Sequence, residues 1–137
     1  MGRLLALDIG ERRIGVAVCD AARIVARPLC IVDRKREDAL ARIAALTQEY
    51  QPDALIVGYP YHFDGKISSQ AQQVEAFAEA LRAIVSVPIV FFDERFTTEE
   101  ARALMAAAPK RAAIRAHDDA VAAAVLLQRA LEEGFRL

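Results

Sequence analysis

The chain has 137 residues, a formal charge of −1 and a composition that is 55% hydrophobic and 27% charged, which bounds it to one domain able to bury roughly 68% of its unfolded surface. No run approaches the ~18 apolar residues of a membrane span, and the Leu4 to Leu7 run is too short for a signal-peptide core and meets Asp8 and Glu11 directly. The near-neutral balance excludes a generally basic nucleic-acid binder, so any polyanion must meet a local patch. The expectation is a single domain over residues 1–137 in the cytoplasm, without membrane contact.

In chain order, Arg3 to Ile9, Ile14 to Cys19 and Ile24 to Val32 read as three successive strands joined by short turns, an antiparallel start. Cys19 and Cys30 fall in these strands, make no metal-ligand pattern and carry no chemical role. Helical spacing follows in Arg36 to Tyr50, with Leu40, Ile43, Ala44 and Leu46 on one face and Pro52 marking the end. Ala54 to Gly58 is a short, wholly apolar strand of the kind buried in a parallel sheet. After the turn Tyr59-Pro60-Tyr61-His62-Phe63-Asp64-Gly65, Ser69 can cap a helix with the stripe Val74, Phe77, Ala78, Leu81 and Ile84. Ile89 to Phe92 repeats the apolar-strand pattern and runs straight into Asp93 and Glu94. Thr97-Thr98-Glu99-Glu100 is a capping box that opens a helix to about Ala107, with Pro109 beyond it. The last helix starts near Asp118 or Asp119, shows an alanine-rich face with Val121, Val125 and Leu131, and stops at Gly134.

This order predicts an α/β fold: a five-stranded mixed sheet, its first three strands antiparallel, flanked by helices and with the first strand central. If that strand lies parallel to Ala54–Gly58 and Ile89–Phe92, the C-terminal ends of all three open onto one edge, where ligands of open α/β sheets bind. Asp8 and Glu94 then face each other there, and the last helix can bring Asp119 to the same place. A lone aspartate inside Leu5-Ala6-Leu7-Asp8-Ile9 costs several kcal/mol of buried charge unless it is hydrogen-bonded or binds a cation. Gly10 and Gly15 are positions where the backbone can turn sharply or admit a ligand closely.

Charge is also patterned. Pro109 to His117 holds Lys110, Arg111 and Arg115 with no acid, whereas Asp93 to Glu100 holds four acids against one arginine. Arg12 and Arg13 sit beside Asp8, and Arg34, Lys35 and Arg36 form a third group followed at once by Glu37 and Asp38. Such runs are solvated faces in the plain reading and phosphate contacts in the functional one.

Taken end to end, the chain resembles the YqgF/RuvX family of ribonuclease H-like nucleases. The motifs that carry the resemblance are Asp8-Ile-Gly10-Glu-Arg-Arg13-Ile14-Gly15-Val16-Ala17, Val57-Gly58-Tyr-Pro60 followed by Asp64-Gly65, Asp93-Glu94-Arg95-Phe-Thr97-Thr98, and Asp119-Ala-Val-Ala122-Ala123. The resemblance implies the RuvC-like branch of the ribonuclease H fold and trimming of the 5′ end of the small-subunit (16S) ribosomal RNA precursor, with a Holliday-junction resolvase as the alternative. It places the acidic site on Asp8, Glu94 and Asp119 and implies Mg²⁺ or Mn²⁺ as cofactor. Three converging carboxylates repel unless a cation compensates, and hard oxygen ligands suit these ions. Adjacent strand residues point to opposite faces, so only one of Asp93 and Glu94 enters the site, and Glu94 is the choice. Asp118 is left as a helix cap or outer ligand. Arg13 and Arg95 suit phosphate contacts or structural ion pairs, and Lys110, Arg111 and Arg115 suit the backbone of a structured RNA or ribosomal particle.

The chain departs from the family pattern at Tyr59, Tyr61, His62 and Phe92. The aromatic cluster suits either stacking on unpaired bases or cover for a core edge, and His117 suits a proton shuttle or a solvated helix start. Two other classes compete: half of an actin-like ATPase, against which the size weighs, and a metal-free RNA-binding module for ribosome assembly. Alanine-rich helix faces suit core or dimer surface equally, leaving monomer and homodimer open.

Overall fold

Period-two alternation in the strands decides how this chain layers, because successive side chains leave opposite faces of a sheet. The computed structural model describes residues 2–60, 69–93 and 118–134. Within them run β1 (Leu4–Ile9), β2 (Arg13–Cys19), β3 (Ala26–Asp33), α1 (Ala39–Tyr50), β4 (Ala54–Tyr59), α2 (Ser69–Arg82), β5 (Ile89–Asp93) and α3 (Asp118–Glu132). The sheet order is β3-β2-β1-β4-β5, so β1 is central as expected. β1 pairs antiparallel with β2 and β2 with β3, whereas β1–β4 and β4–β5 are parallel. The C-terminal ends of β1, β4 and β5 therefore share one edge.

One face buries Leu5, Leu7 and Ile9 of β1 with Ile14, Val16 and Val18 of β2 and Leu55, Val57 and Tyr59 of β4. Ile43 and Leu46 of α1 and Val74, Phe77 and Leu81 of α2 pack over them. The other face buries Leu4, Ala6, Ala17, Cys19, Ala54 and Ile56 beneath Ala123, Leu126 and Leu127 of α3. Each fully buried aliphatic side chain in these layers is worth about 1.5–3 kcal/mol of transfer free energy, so the sheet is held from both sides.

Local signals fix the ends. Asp38 accepts from the Ala41 amide at 3.2 Å and caps α1, and Gln51, at φ 46°, closes it by donating to the Thr47 carbonyl at 2.9 Å. Past α3, Gly134 takes φ 71°, the left-handed conformation in which glycine escapes the Cβ clash. Opposite the shared edge, Arg23 donates to the Gly2 carbonyl at 2.8 Å and to Asp53 Oδ2 at 2.6 Å, tying the β2–β3 turn to the segment before β4.

Four local expectations change. β3 starts at Ala26 rather than Ile24 and α1 at Ala39 rather than Arg36, because Asp20 accepts from the Ile24 and Val25 amides in a turn and Asp38 takes the capping position. Ile84 lies past the end of α2 and is 52% exposed, since the helical stripe closes at Leu81. Tyr59 belongs to β4 and is buried, its ring centroid 5.0 Å from that of Phe91 and its hydroxyl 2.7 Å from Glu75 Oε1. It is a core residue rather than part of an exposed aromatic loop. On α3, Ala120, Ala123, Val125, Leu126, Leu127 and Ala130 are buried, while Val121 and Leu131 are only half so. The predicted helix from Thr97 to Ala107, the basic run from Lys110 to Arg115, and Tyr61, His62 and Phe63 lie outside the described residues.

Candidate active site

Asp8 is the fifth residue of β1, half-buried at the end of the central strand. Leu4 and Ala6 look onto α3, so alternation assigns Asp8 to the α3 face while its neighbours Leu7 and Ile9 enter the opposite core. On β2 its direct partner is Gly15. On β4 the last paired residues are Leu7 and Val57, and the same register runs on to Asp8 and Gly58. Gly58 in turn pairs with Phe92 of β5. The row across the α3 face thus reads Gly15, Asp8, Gly58, Phe92, with no side chain on either strand flanking the carboxylate. That opening is what a ligand approaching Asp8 requires.

The turn that follows is narrow. Gly10 donates its amide to the Arg13 carbonyl at 2.9 Å, closing the β1–β2 hairpin around Glu11 and Arg12. A Cβ on Gly10 would lie 2.7 Å from the Arg13 carbonyl oxygen, so close backbone approach is what requires glycine here. Arg13 itself is exposed at the start of β2.

The remaining acids divide by face. Asp93 closes β5 and pairs with Tyr59, whose side chain, like that of Phe91, belongs to the α1/α2 core. Asp93 therefore lies across the sheet from Asp8. Glu94 and Arg95 follow it outside the described residues, as do Lys110, Arg111 and Arg115. The backbone of Asp119 lies in the first turn of α3. That helix is tied at the far end by Gln128, which accepts from the Ala26 amide at 2.9 Å and donates to the Ile24 carbonyl at 3.2 Å. Ala26 pairs with Cys19, whose sulfur accepts from the Leu4 amide at 3.2 Å, so this anchor sits at the start of β1. Nine residues of helix span ~13.5 Å and four residues of strand span ~13 Å. α3 is therefore long enough to carry its N-terminus from that anchor back to the Asp8 edge. Among the described residues no group of three His, Cys, Asp or Glu side chains converges in a way that could hold a metal ion.

Two of the three basic residues after β3, Arg34 and Arg36, make structural contacts. Asp33 lies 3.7 Å from both Arg12 and Arg36 and accepts from the Lys35 amide at 3.0 Å. Its pKa is lowered chiefly by that backbone hydrogen bond, which outweighs the opposing desolvation, with Arg12 and Arg36 adding to the lowering. Arg34 is half-buried and bonded to the hairpin. Its partner carbonyl lies 24 positions away, so no local signal in the sequence marks it. The Cys19 and Cys30 thiols have pKa values raised chiefly by burial, in keeping with an apolar role.

Strand order and helix placement give the chain the ribonuclease H-like fold that RuvC has. Thermus thermophilus RuvC in complex with a Holliday junction superposes with a TM-score of 0.60 at 19% identity, over 98% of this chain and 97% of that one. The family model RuvX, described as Holliday junction resolvase, matches residues 2–133, and the chain belongs to this family. A relative from Roseiflexus sp. (strain RS-1), named "Putative pre-16S rRNA nuclease", is 44% identical over 133 residues, 96% of this chain and 94% of its own. One of the same name from Dehalococcoides mccartyi is 43% identical over 127 residues, 91% of this chain and 94% of its own. No helix among the described residues is long and apolar enough to cross a membrane.

Proposed function

We propose that this chain is a divalent-metal-dependent endonuclease that trims the 5′ end of the small-subunit ribosomal RNA precursor, with Asp8, Glu94 and Asp119 as its metal-binding and catalytic acids. The observation that carries the reading is the placement of Asp8 between Gly15 and Gly58 at the carboxyl edge of three parallel strands. A carboxylate at the end of the central strand, with glycine as its cross-strand neighbour on β2, offers hard oxygen donors to a cation. Because the Asp93 position falls on the opposite face of the sheet, alternation favours Glu94, the next residue, as the acid for the Asp8 face.

The donor chemistry fits Mg²⁺ or Mn²⁺, which when bound supplies an activated water and neutralises charge on the departing oxygen. The chain's own part is placement. β1 holds Asp8 on a buried central strand, the first turn of α3 carries Asp119, and the exposed Arg13 and the following Arg95 offer guanidinium groups to phosphate oxygens. Lys110, Arg111 and Arg115 supply sequence-independent backbone contacts. The names of the relatives support a ribosomal precursor as substrate, while the family description and the RuvC fold favour a four-way DNA junction as the second reading.

The deciding experiment offers purified protein a 5′-extended small-subunit rRNA precursor and a four-way DNA junction, with Mg²⁺ or with chelator. Magnesium-dependent cleavage of the precursor, lost in Asp8→Ala, supports the proposal, and cleavage of the junction alone moves the substrate to DNA. Nucleotide hydrolysis without cleavage favours an ATPase, and RNA binding with no turnover favours an assembly module. Replacing Lys110, Arg111 and Arg115 by alanine is expected to reduce the salt slope of RNA binding by about one per lost contact, and an unchanged slope removes them from the interface.

A further inference from the structure

Arg34 joins three parts of the molecule that touch the Asp8 edge. Its guanidinium donates from Nη1 to the Gly10 carbonyl at 2.9 Å, its own amide donates to the Arg12 carbonyl at 2.7 Å, and its Cζ sits 5.2 Å from the centroid of the Phe77 ring. Phe77 is 6% exposed on α2, so the cation rests on a wall that is itself fixed by the core. Gly10 lies two residues beyond Asp8, in the hairpin already narrowed by its bond to the Arg13 carbonyl. The guanidinium takes the carbonyl of that residue while the hairpin takes its amide. Both backbone groups of Gly10 are thus held from outside the strand.

Arg23 braces the opposite end of the sheet, and Arg36 and Arg42 are mainly surface partners of Asp33 and Glu37. Neighbouring charge does not account for Arg34 either, since Asp33 lies near Arg12 and Arg36 while the Arg34 side chain turns to a neutral carbonyl and an aromatic face. A planar fork that can donate and stack at once is what such a position demands, and lysine cannot reproduce both.

We propose that Arg34 is a positioning residue for the candidate active site: it holds the β1–β2 turn, and through it the Asp8 carboxylate, in the geometry that cation binding and cleavage need. The inference rests on the metal-dependent nuclease reading given above. Misplacement of a catalytic group by about 1 Å costs on the order of 10²-fold in rate, and productive sites are held to within about 0.5 Å, so a clamp two residues away has leverage.

The test compares wild type, Arg34→Ala, Arg34→Lys and Lys35→Ala. Lys35→Ala removes a neighbouring positive charge and leaves the clamp intact. Three quantities are read: Mn²⁺ uptake in the absence of nucleic acid, kcat and KM on whichever substrate the wild type cleaves, and hydrogen exchange of the Gly10 amide. Arg34→Ala is expected to weaken Mn²⁺ binding and lower kcat, each by about tenfold or more, with KM within about twofold and faster exchange at Gly10. Arg34→Lys is expected to recover only part of this, and Lys35→Ala to match wild type. Wild-type kcat and Mn²⁺ uptake in Arg34→Ala overturn the proposal, as does an equal loss in Lys35→Ala, which would make the effect one of net charge. If the wild type itself neither takes up Mn²⁺ nor cleaves, the nuclease reading falls instead. The Gly10 exchange rate then decides the clamp alone, and an unchanged rate in Arg34→Ala ends it.

Discussion

The face of the sheet beneath α1 and α2 is filled by Leu5, Leu7, Ile9, Ile14, Val16, Val18, Leu55 and Val57, whereas the face beneath α3 carries Ala6, Ala17 and Ala54 and meets Ala123 of the helix. Both are dry, yet they do different work. Branched and long side chains maximise the apolar area removed from water, which concentrates stability on the first face. Alanines on both partners let α3 approach the strands closely, and the alternation Leu4, Ala6 then places Asp8 where a third apolar residue would otherwise stand. A domain of this size can carry a charge on one face because the other supplies so much of the burial.

The sharpest way to break this contrast is to change two adjacent residues that look in opposite directions. Asp8→Asn is expected to lower cleavage by about 10²-fold or more while leaving the folded state intact. Leu7→Ala is expected to cost about 2–5 kcal/mol in denaturant unfolding while the folded fraction still cleaves. If Asp8→Asn destabilised the chain as much as Leu7→Ala, the two faces would not differ in role. A smaller effect probes the thin face itself. Ala123→Leu forces a larger side chain between helix and sheet and is expected to cost about 1–3 kcal/mol, whereas Leu81→Met on the thick face conserves volume and should stay below about 1.5 kcal/mol.

Smaller again is Tyr59→Phe, which removes the hydroxyl donated to Glu75 but keeps the ring against Phe91. Its expected cost is about 0.5–1.5 kcal/mol, read as a shift in urea midpoint at constant slope. The last prediction concerns pH at the end of the sheet remote from Asp8. The Asp20 pKa is lowered by hydrogen bonds from the Val25 and Ile24 amides. A depressed carboxylate contributes stability that is present above its unfolded value and is lost as pH falls through the folded one. Asp20→Asn should therefore flatten the acid limb of the stability curve below about pH 4 and leave the neutral region parallel to wild type. An unaltered acid limb would show that this turn does not couple to global unfolding.

Strand and helix existence was readable in the chain because each element carries its own period. Val74, Phe77, Ala78 and Leu81 lie on one buried stripe as their spacing indicates, and Gly134 marks a helix end by its backbone conformation. A local turn and a local cap moved the starts of β3 and α1, whereas at Tyr59 and Arg34 contacts from elsewhere in the chain decided the outcome. Tyr59 looks like the start of a loop beside Pro60, yet Phe91 and Glu75 draw it into β4. Arg34 reads as one cation among three, and only its distant partners Gly10 and Phe77 distinguish it.

The amino-acid order by itself determined the described elements, the mixed sheet with its central first strand, and Asp8 as the residue to watch, since periodicity and an acid ending an apolar run are local. Only the tertiary structure decided that Gly15 and Gly58 flank Asp8, that the Asp93 position falls on the opposite face, and that Arg34 grips the turn. The physical reason is that strand register and cross-chain hydrogen bonds join residues tens of positions apart, and no spacing along the backbone encodes which carbonyl or which face they will meet.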